Sequence, residues 1–329
     1  MNILGLSQKN SGCGYHRVVL PLGFMDGIKG YVTNLPSDEI VSEYNYLLYN
    51  RISVFDNNIQ LLKDKGYKII IDLDDDWDLP ANHLLYDDYV VFKKRIEENI
   101  LNADLVTCTN ERIWNKIVKI NKRSEIIPNA LPYGLDQFTD NVEESEFIRL
   151  FWCGSITHEQ DLQILHNPLK RLIGSKVQMV IGGFNPSNDR SKQIWEQMWK
   201  HFTCSGKLES LILPSQDPTE YMKLYSHADI CLIPLENSSW HSAKSNLKIL
   251  EAATKKLPVI VSKVEPYSLD EDAPVLWVEK QSDWFKHINF LINNKNARID
   301  YGEKLHEWAK EKYNFHRINA GRKQCFESI

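Results

Sequence analysis

Short apolar runs alternate with longer amphipathic stretches along the whole chain. Such alternation is typical of βα units built on parallel sheets. In the first half, the apolar runs predict strands at Asn2–Ser7, Tyr31–Leu35, Asn45–Tyr49, Tyr67–Asp72, Leu105–Thr109 and Glu125–Pro128. In the second half they predict strands at Arg149–Cys153, Val177–Gly182, Glu209–Leu213, Ile230–Pro234, Val259–Ser262 and Leu276–Glu279. The pattern therefore predicts an α/β protein with two parallel sheets.

Helical patterns fall between the predicted strands. They lie near Tyr15–Met25, Asn57–Lys65, Tyr89–Leu101, Glu111–Ile120, Glu159–Leu172, Gln193–Phe202, Thr219–Ser226, Asn246–Lys255 and Ser282–Ile292, with a helical tail at Ala297–Lys312 and His316–Phe326. The polar segment Asn129–Glu146 interrupts the alternation, and we interpret it as an interdomain connection. We expect an N-terminal domain at 1–140 and a C-terminal domain at 141–314, with a ligand cleft between the two sheets.

Composition narrows the class of protein. Of the 329 residues, 43% are hydrophobic, which is ample for buried cores, and 39 basic against 44 acidic residues give a net charge of −5. A protein that mainly coats nucleic acid needs a basic surface, so this charge disfavours that class. The six cysteines are scattered without metal-ligand spacing, which favours a reducing compartment. No apolar run approaches the ~20 residues of a membrane span, so we expect a cytoplasmic protein.

The segment Ser238–Ser262 carries the strongest chemical signal. Its sequence predicts a loop, an amphipathic helix and a buried strand, in that order. Small polar and basic residues lie where the helix begins, and helix N-termini expose N–H groups and a positive dipole end that hold phosphates well. Glu251 follows within reach of a sugar attached to such a phosphate. A phosphate-binding turn followed by a carboxylate indicates a nucleotide-sugar site.

Three motifs in a fixed order carry a resemblance to a known family. They are I-I-P-N-A at Ile126–Ala130, F-W-C-G-S-I-T-H-E-Q-D-L at Phe151–Leu162, and K-S-N-L-K-I-L-E-A-A-T-K-K-L-P-V-I-V-S at Lys244–Ser262. In this order and spacing the chain resembles the retaining glycosyltransferases of the GT-B fold, particularly the large family four. The resemblance covers residues 126–262 well and the rest of the chain loosely.

The resemblance implies a fold of two Rossmann-like domains facing a central cleft, with the C-terminal helix 315–329 packed on the N-terminal domain. It implies transfer of a sugar from a nucleotide sugar, with UDP as the expected nucleotide, with retention of anomeric configuration and without a metal ion for donor binding. The chain departs from the family at Ala243, where a Glu is usual, and at Leu257, where a Gly is usual. The usual basic pair is absent, and His158 and Lys170 are its nearest counterparts. Ala243 leaves the transferred sugar open.

The motifs assign donor-site residues to positions of this sequence. The helix start and the Lys244 ammonium would hold the diphosphate, and Glu251 would accept two hydrogen bonds from the ribose hydroxyls. A glycine after a buried strand lets a phosphate or sugar approach the backbone closely. The complete set of predicted donor-binding residues is Gly14, Gly154, Ser155, Lys244, Ser245, Asn246, Leu247 and Glu251.

Each of these assignments has a structural alternative. Ser245 could be an N-cap and Lys244 a solvated charge. Glu251 could be an exposed helix residue paired with Lys255 at i+4. Lys248 lies one turn beyond Lys244 and could face the same ligand. The sequence does not decide whether Trp240 and its neighbour His241 close over the sugar or pack in the core.

The first domain offers candidates for catalysis. Ser11–Gly14 follows the first strand and resembles a phosphate-binding turn, although a simple βα turn is the alternative. The run Asp72–Asp78 contains five Asp in seven residues that follow a predicted strand. We predict Asp74 and Asp75 as catalytic or acceptor-orienting carboxylates and His83 as a neighbouring acid or base. Metal binding by the Asp run, a capping and solvation role for it, and a structural role for His83 are the alternatives.

The N-terminal half, with S-G-C-G-Y-H-R and D-L-D-D-D-W-D-L-P-A-N-H, resembles glycosyltransferases of tailed phages and of bacterial surface-polysaccharide clusters. The phage resemblance implies a hydroxymethylated base in duplex DNA as acceptor, flipped out of the stack, and the host cytoplasm as location. A polysaccharide or lipid-linked acceptor is the alternative for an enzyme. A nucleotide-sugar-binding homologue without catalytic activity is the alternative of another class.

Overall fold

The computed structural model describes residues 1–8, 11–33 and 41–329, with the side chain of Tyr31 left out. The chain divides into two compact units. The first unit consists of Met1–Ala130, Ala243–Ser245 and Phe315–Ile329, and the second of Leu131–Ser242 and Asn246–Asn314. Each unit contains one six-stranded sheet, and all the strand pairs of both sheets are parallel.

The sheet of the first unit has the strand order β2-β1-β3-β4-β5-β6. Its strands are β1 Asn2–Leu6, β2 Lys29–Thr33, β3 Tyr46–Asn50, β4 Lys68–Leu73, β5 Leu105–Cys108 and β6 Ser124–Ile126. Helices of this unit lie at Gly12–Gly14, Leu20–Gly23, Ile59–Asp64, Tyr86–Asn102, Glu111–Ile117 and Phe315–Glu327, with a π-helical turn at Tyr15–Val19. Strand β4 is almost fully buried because helices cover both faces of a parallel sheet.

The sheet of the second unit has the strand order β12-β11-β10-β7-β8-β9. Its strands are β7 Ile148–Cys153, β8 Val177–Phe184, β9 Glu209–Pro214, β10 Ile230–Ile233, β11 Val259–Ser262 and β12 Leu276–Val278. Its α-helices lie at Glu159–Gln163, His166–Lys170, Asp189–Phe202, Leu247–Thr254, Gln281–Asn293 and Lys295–Lys312. The predicted fold class of two Rossmann-like parallel-sheet domains is confirmed.

Several predicted elements differ in detail. The stretch Glu159–Leu172 forms two helices rather than one. Pro168 lies inside the stretch, and proline is tolerated in the first turn of a helix but not in its interior. The predicted helix Thr219–Ser226 is a 3₁₀-helix at Tyr221–His227. The predicted strand Tyr31–Leu35 ends at Thr33 as far as the described residues go, and positions 34–35 lie outside them.

Strand order reverses at one point in each sheet, between β1 and β3 in the first and between β7 and β10 in the second. Ligands of open α/β sheets bind outside the carboxyl ends of the strands at such points. A cavity of about 270 Å³ lies at the first of them, lined by Leu6, Ser7, Gln8, Ile52, Ser53, Val54 and Arg95. The two carboxyl edges are therefore where functional side chains are expected.

Candidate functional site

Two glycine turns meet at the carboxyl edge of the second sheet. The Gly154 N–H donates to the Gly182 carbonyl at 3.3 Å. Gly183 has φ +95°, and a Cβ there would lie 2.5 Å from the Gly154 oxygen. A Cβ at Gly154 would lie 2.8 Å from the ring of Trp152. Glycine is required at both turns because they approach each other and the Trp152 ring too closely for a side chain.

Lys248 reaches this edge from the helix Leu247–Thr254. Its Nζ donates a hydrogen bond to the carbonyl of Cys153, the last residue of β7 and the neighbour of Gly154. The same ammonium lies 6.0 Å from the centre of the Trp152 ring. A lysine ammonium carries three donors, so one bond to a carbonyl leaves capacity for an anionic ligand. Lys248 is therefore the cation that the structure places beside the glycine turns.

Glu251 lies one turn further along the same helix and is only 3% exposed. Its Oε2 accepts a hydrogen bond from the Tyr225 hydroxyl at 2.6 Å. Burial raises the pKa of Glu251 to about 7, and the Lys248 charge and the Tyr225 hydrogen bond oppose that rise. The alternative of an exposed Glu251 paired with Lys255 is wrong, because the helix turns this carboxylate into the unit's interior.

The aromatic side of this cluster connects it to β7. Tyr225 packs against Phe151 with ring centres 4.8 Å apart. The hydroxyl oxygen of Tyr221 lies 3.2 Å from the Cys153 Sγ. Burial raises the pKa of both tyrosines well above their usual value, so both hydroxyls stay protonated. The cluster thus combines a buried carboxyl held by a neutral hydroxyl group with an ammonium held by a backbone carbonyl, at the end of one strand.

The residues expected at the start of this helix are held differently. The helix begins at Leu247 with Asn246 as N-cap, so the alternative of Ser245 as N-cap is wrong. Asn246 donates its side-chain amide to Asp270 Oδ2 at 2.6 Å. Ser245 belongs to the first unit, where its hydroxyl accepts from Asn129 Nδ2 at 2.9 Å. Lys244 belongs to the same unit, and its Nζ lies 3.8 Å from Asp75 Oδ1.

A second polar cluster flanks the reversal point between β7 and β10. Asp161 is 1% exposed, and its Oδ2 lies 2.7 Å from His158 Nδ1 and 3.7 Å from His241 Nε2. Its Oδ1 accepts from the Glu236 backbone N–H at 2.7 Å. The sequence motifs named His158 as a distant counterpart of a basic residue, but they gave no signal for Asp161 or Glu236.

The aspartate run of the first unit is neutralised by basic side chains. The ion pairs are Asp72 with Arg17, Asp74 with Arg51, Asp75 with Arg51 and Lys244, Asp76 with Lys116, and Asp78 with Lys116 and Lys93. Arg17 and Asp72 are each 1% exposed and form a bidentate pair at 2.8 and 2.9 Å. Pairing explains how so many acidic groups share one turn, which their mutual repulsion would otherwise oppose.

Asp74 is an ionised group whose Oδ1 is held by several donors. Its Oδ1 accepts from Arg51 Nη2 at 2.8 Å and from Asn50 Nδ2 at 3.0 Å. Burial raises the pKa of Asp74, but the Arg51 charge and hydrogen bonds from Cys13, Arg51 and Asn50 outweigh it, so the pKa lies below its usual value. Asp74 therefore orients Arg51 and does not supply a proton near neutral pH.

Arg51 also bears on the metal alternative for this turn. Its Nη2 contacts Asp74 Oδ1 at 2.8 Å, Asp75 Oδ2 at 3.4 Å and the Cys13 Sγ at 3.3 Å. Those three side chains are the group that would have to ligate an ion. The guanidinium already fills the position of the cation. Arg51 has φ +59°, a strained backbone conformation for a residue other than glycine, and such strain is found at functional sites.

The remaining predicted residues lie at the same carboxyl edge or beyond it. The Gly14 N–H donates to Ser11 Oγ at 3.0 Å, and a Cβ at Gly14 would lie 2.2 Å from Ser7 Oγ, so packing already requires this glycine. Asp75 is 30% exposed, which leaves it more open than Asp74. His83 Nδ1 accepts from the Leu85 N–H at 3.1 Å within its own turn.

Comparison with known proteins defines the class. Two parallel-sheet Rossmann-like units are the GT-B fold of glycosyltransferases. Residues 148–294 match the family model described as glycosyl transferases group 1. The enzyme class is accordingly that of a glycosyltransferase. No curated protein matches the chain significantly.

Among solved structures, the chain is similar to Anabaena HepE in complex with UDP and glucose. The TM-score is 0.70 at 11% identity, and the match covers 100% of each chain. It is also similar to sucrose-phosphate synthase from Thermosynechococcus elongatus, with a TM-score of 0.64, 15% identity, and coverage of 88% of this chain and 76% of that one. A UDP-forming trehalose-phosphate synthase from Burkholderia xenovorans matches with a TM-score of 0.61, 10% identity, and coverage of 88% of this chain and 76% of that one.

No helix of the described residues combines the length and the apolar character that a membrane crossing needs.

Proposed function

We propose that this glycosyltransferase takes its sugar from a UDP-linked donor and transfers it with retention of anomeric configuration. The observation that carries the donor proposal is that Lys248 and Glu251 lie on one helix whose Lys248 ammonium reaches the glycine turns of the second unit. A cation beside a glycine turn suits a diphosphate, and a carboxylate suits a vicinal diol. UDP is supported as the nucleotide because the solved structures with this fold include a UDP complex.

In this proposal the two side chains have separate tasks. Lys248 and the Gly154–Ser155 backbone hold the diphosphate and stabilise the charge that develops on it as the sugar departs. Glu251 accepts the ribose hydroxyls, for which it must be ionised. Because burial raises the pKa of Glu251 to about 7, donor binding and loss of this proton are coupled. Donor affinity should therefore rise between pH 6 and pH 8.

We further propose that the acceptor hydroxyl is oriented by the first unit, with Asp75 as the carboxylate that contacts it. Asp75 is the more exposed acidic group beside Arg51, at 30% against 12% for Asp74, whose Oδ1 accepts from Arg51 and Asn50. The cavity lined by Ile52 and Ser53 begins one residue beyond Arg51. Its volume of about 270 Å³ is slightly below the range of about 300 to 1,000 Å³ common for ligand pockets, so it suits a single ring.

A hydroxymethylated DNA base is the acceptor that we propose, because a flipped base is such a ring and the N-terminal motifs resemble those of phage enzymes. The test is a panel of UDP-, GDP- and ADP-sugars offered with hydroxymethylcytosine DNA, hydroxymethyluracil DNA, unmodified DNA and bacterial polysaccharide. We expect sugar transfer from a UDP-sugar onto modified DNA only. Transfer onto polysaccharide would overturn the acceptor proposal and leave the donor proposal standing. Tight nucleotide binding with no turnover of any donor would overturn both transfer proposals and favour an inactive homologue.

A further inference from the structure

The cluster around Asp161 differs from the donor-site cluster in its chemistry. Asp161, Glu236 and His241 bring two carboxylates and an imidazole together, with one ligand atom of each within 4.8 Å of the others. Asp161 and His241 are buried and Glu236 is partly buried. Mixed oxygen and imidazole ligands suit Mn²⁺ and Zn²⁺. We propose that these three residues form a divalent-cation site at the strand-order reversal of the second sheet.

The groups behind the proposed ligands orient them. Ser238 Oγ lies 2.8 Å from His241 Nδ1, and the other ring nitrogen, Nε2, faces Asp161 Oδ2 at 3.7 Å. The Glu236 N–H donates to Asp161 Oδ1 at 2.7 Å, and Asp161 Oδ2, which lies 2.7 Å from His158 Nδ1, faces His241. Such second partners fix ring orientation and ligand basicity in metal sites.

Charge favours a cation at this position. The Asp161 and Glu236 carboxylates lie close together, with Asp161 buried and Glu236 partly buried. Asp161 forms its ion pairs with two histidines, His158 and His241. The cluster of Cys13, Asp74 and Asp75 differs, because the Arg51 guanidinium already lies among its side chains. An ion bound here would exchange with the His158 contact to Asp161 and relieve the repulsion between the two carboxylates.

The consequence of binding follows from the positions of the ligands. Asp161 lies on the helix that follows β7, and Glu236 and His241 lie on the loop that follows β10. A bound ion would tether these two segments on either side of the reversal point. The site does not depend on the proposed donor or acceptor, because its ligands are separate from Lys248 and Glu251.

The test is titration of the full chain, stripped of metal, with Mn²⁺ alone at pH 7.5. Free Mn²⁺ is measured by electron paramagnetic resonance. Mn²⁺ is chosen because the cysteine thiolates of the chain prefer softer ions and should not compete for it. We expect one saturable ion per chain and a rise in the melting temperature. His241→Ala and Glu236→Gln should each weaken binding at least about tenfold, since even second partners of metal ligands are worth 10- to 100-fold.

His201→Ala is the matched control. His201 lies in the same unit and pairs its ring with His166 at 5.2 Å. It should bind Mn²⁺ like the wild type. Circular dichroism of the metal-free variants establishes that each is folded. Absence of saturable binding to the wild type, or equal affinity in folded His241→Ala and Glu236→Gln, would overturn the proposal.

Discussion

Glu251→Gln is expected to weaken binding of a UDP-sugar roughly a hundredfold. A hydrogen bond to a charged group contributes about 1.5 to 3 kcal/mol, and the proposed ribose contact has two such bonds that glutamine replaces with weaker neutral ones. The Tyr225 hydroxyl can still donate to the glutamine carbonyl, so the local packing is retained. Calorimetric titration of the wild type and the variant with UDP-glucose measures the difference.

The same substitution is expected to stabilise the free protein. The folded chain holds the Glu251 proton more tightly than the unfolded chain, because its pKa is raised from 4.5 to about 7. The stability contributed by this group is therefore full below about pH 4.5 and is lost as the pH rises through about 7. At pH 8 the buried charge costs about 3 kcal/mol, and glutamine avoids most of that cost. A urea unfolding series at pH 5 and pH 8 measures the change.

Glu303→Gln is the control for both measurements, since Glu303 is an exposed residue on the helix Lys295–Lys312 of the same unit. It should bind donor and unfold like the wild type at each pH. A Glu251→Gln variant with wild-type donor affinity would contradict the ribose contact. A variant less stable than the wild type at pH 8 would contradict the raised pKa.

Arg17→Met is expected to lower the free energy of unfolding by about 3 to 5 kcal/mol. Arg17 holds Asp72 with two bonds inside the first unit, and it also donates to Asn129 Oδ1 and the Ile127 carbonyl at 2.9 and 2.8 Å. Removing one partner of a buried pair leaves the other charge uncompensated, and that loss has the magnitude given. Urea unfolding followed by circular dichroism measures it.

The double variant Arg17→Met, Asp72→Leu separates lost charge pairing from lost packing. Because both charges leave together, we expect it to recover a large part of the stability that Arg17→Met loses. Lys29→Met is the control, since it removes an exposed partner from the Lys29–Glu43 pair and should leave the unfolding midpoint almost unchanged. A loss below about 1 kcal/mol in Arg17→Met would show that the pair is not a structural requirement.

Much of the fold could be predicted because parallel strands buried on both faces leave an unmistakable apolar run. The strand β7 was predicted as Arg149–Cys153 and extends from Ile148 to Cys153, for example. Helix starts were less predictable: Lys244 and Ser245 have helix-start chemistry, yet the helix begins at Leu247. The side chains of Ser245 and Asn246 bond to Asn129 and Asp270 instead of capping the N–H groups of the helix.

The site was predictable only where residues are close in sequence. Lys248 and Glu251 share one helix, and their spacing alone placed them near one another. Asp161 meets Glu236 and His241 only because β7 and β10 are neighbours, which the sequence pattern did not reveal. The partner of Asp74 was missed for the same reason, since Arg51 follows β3 and Asp74 follows β4.

Calorimetric titration with UDP tests the central claim most directly, that Lys248 in the second unit holds the donor diphosphate. We expect one binding site in the wild type and at least about tenfold weaker binding in Lys248→Met, because a charged hydrogen bond is worth about 1.5 to 3 kcal/mol. Lys304→Met, which removes an exposed lysine paired with Asp300, should bind UDP like the wild type. Equal affinity in all three proteins, or no binding to the wild type, would contradict it.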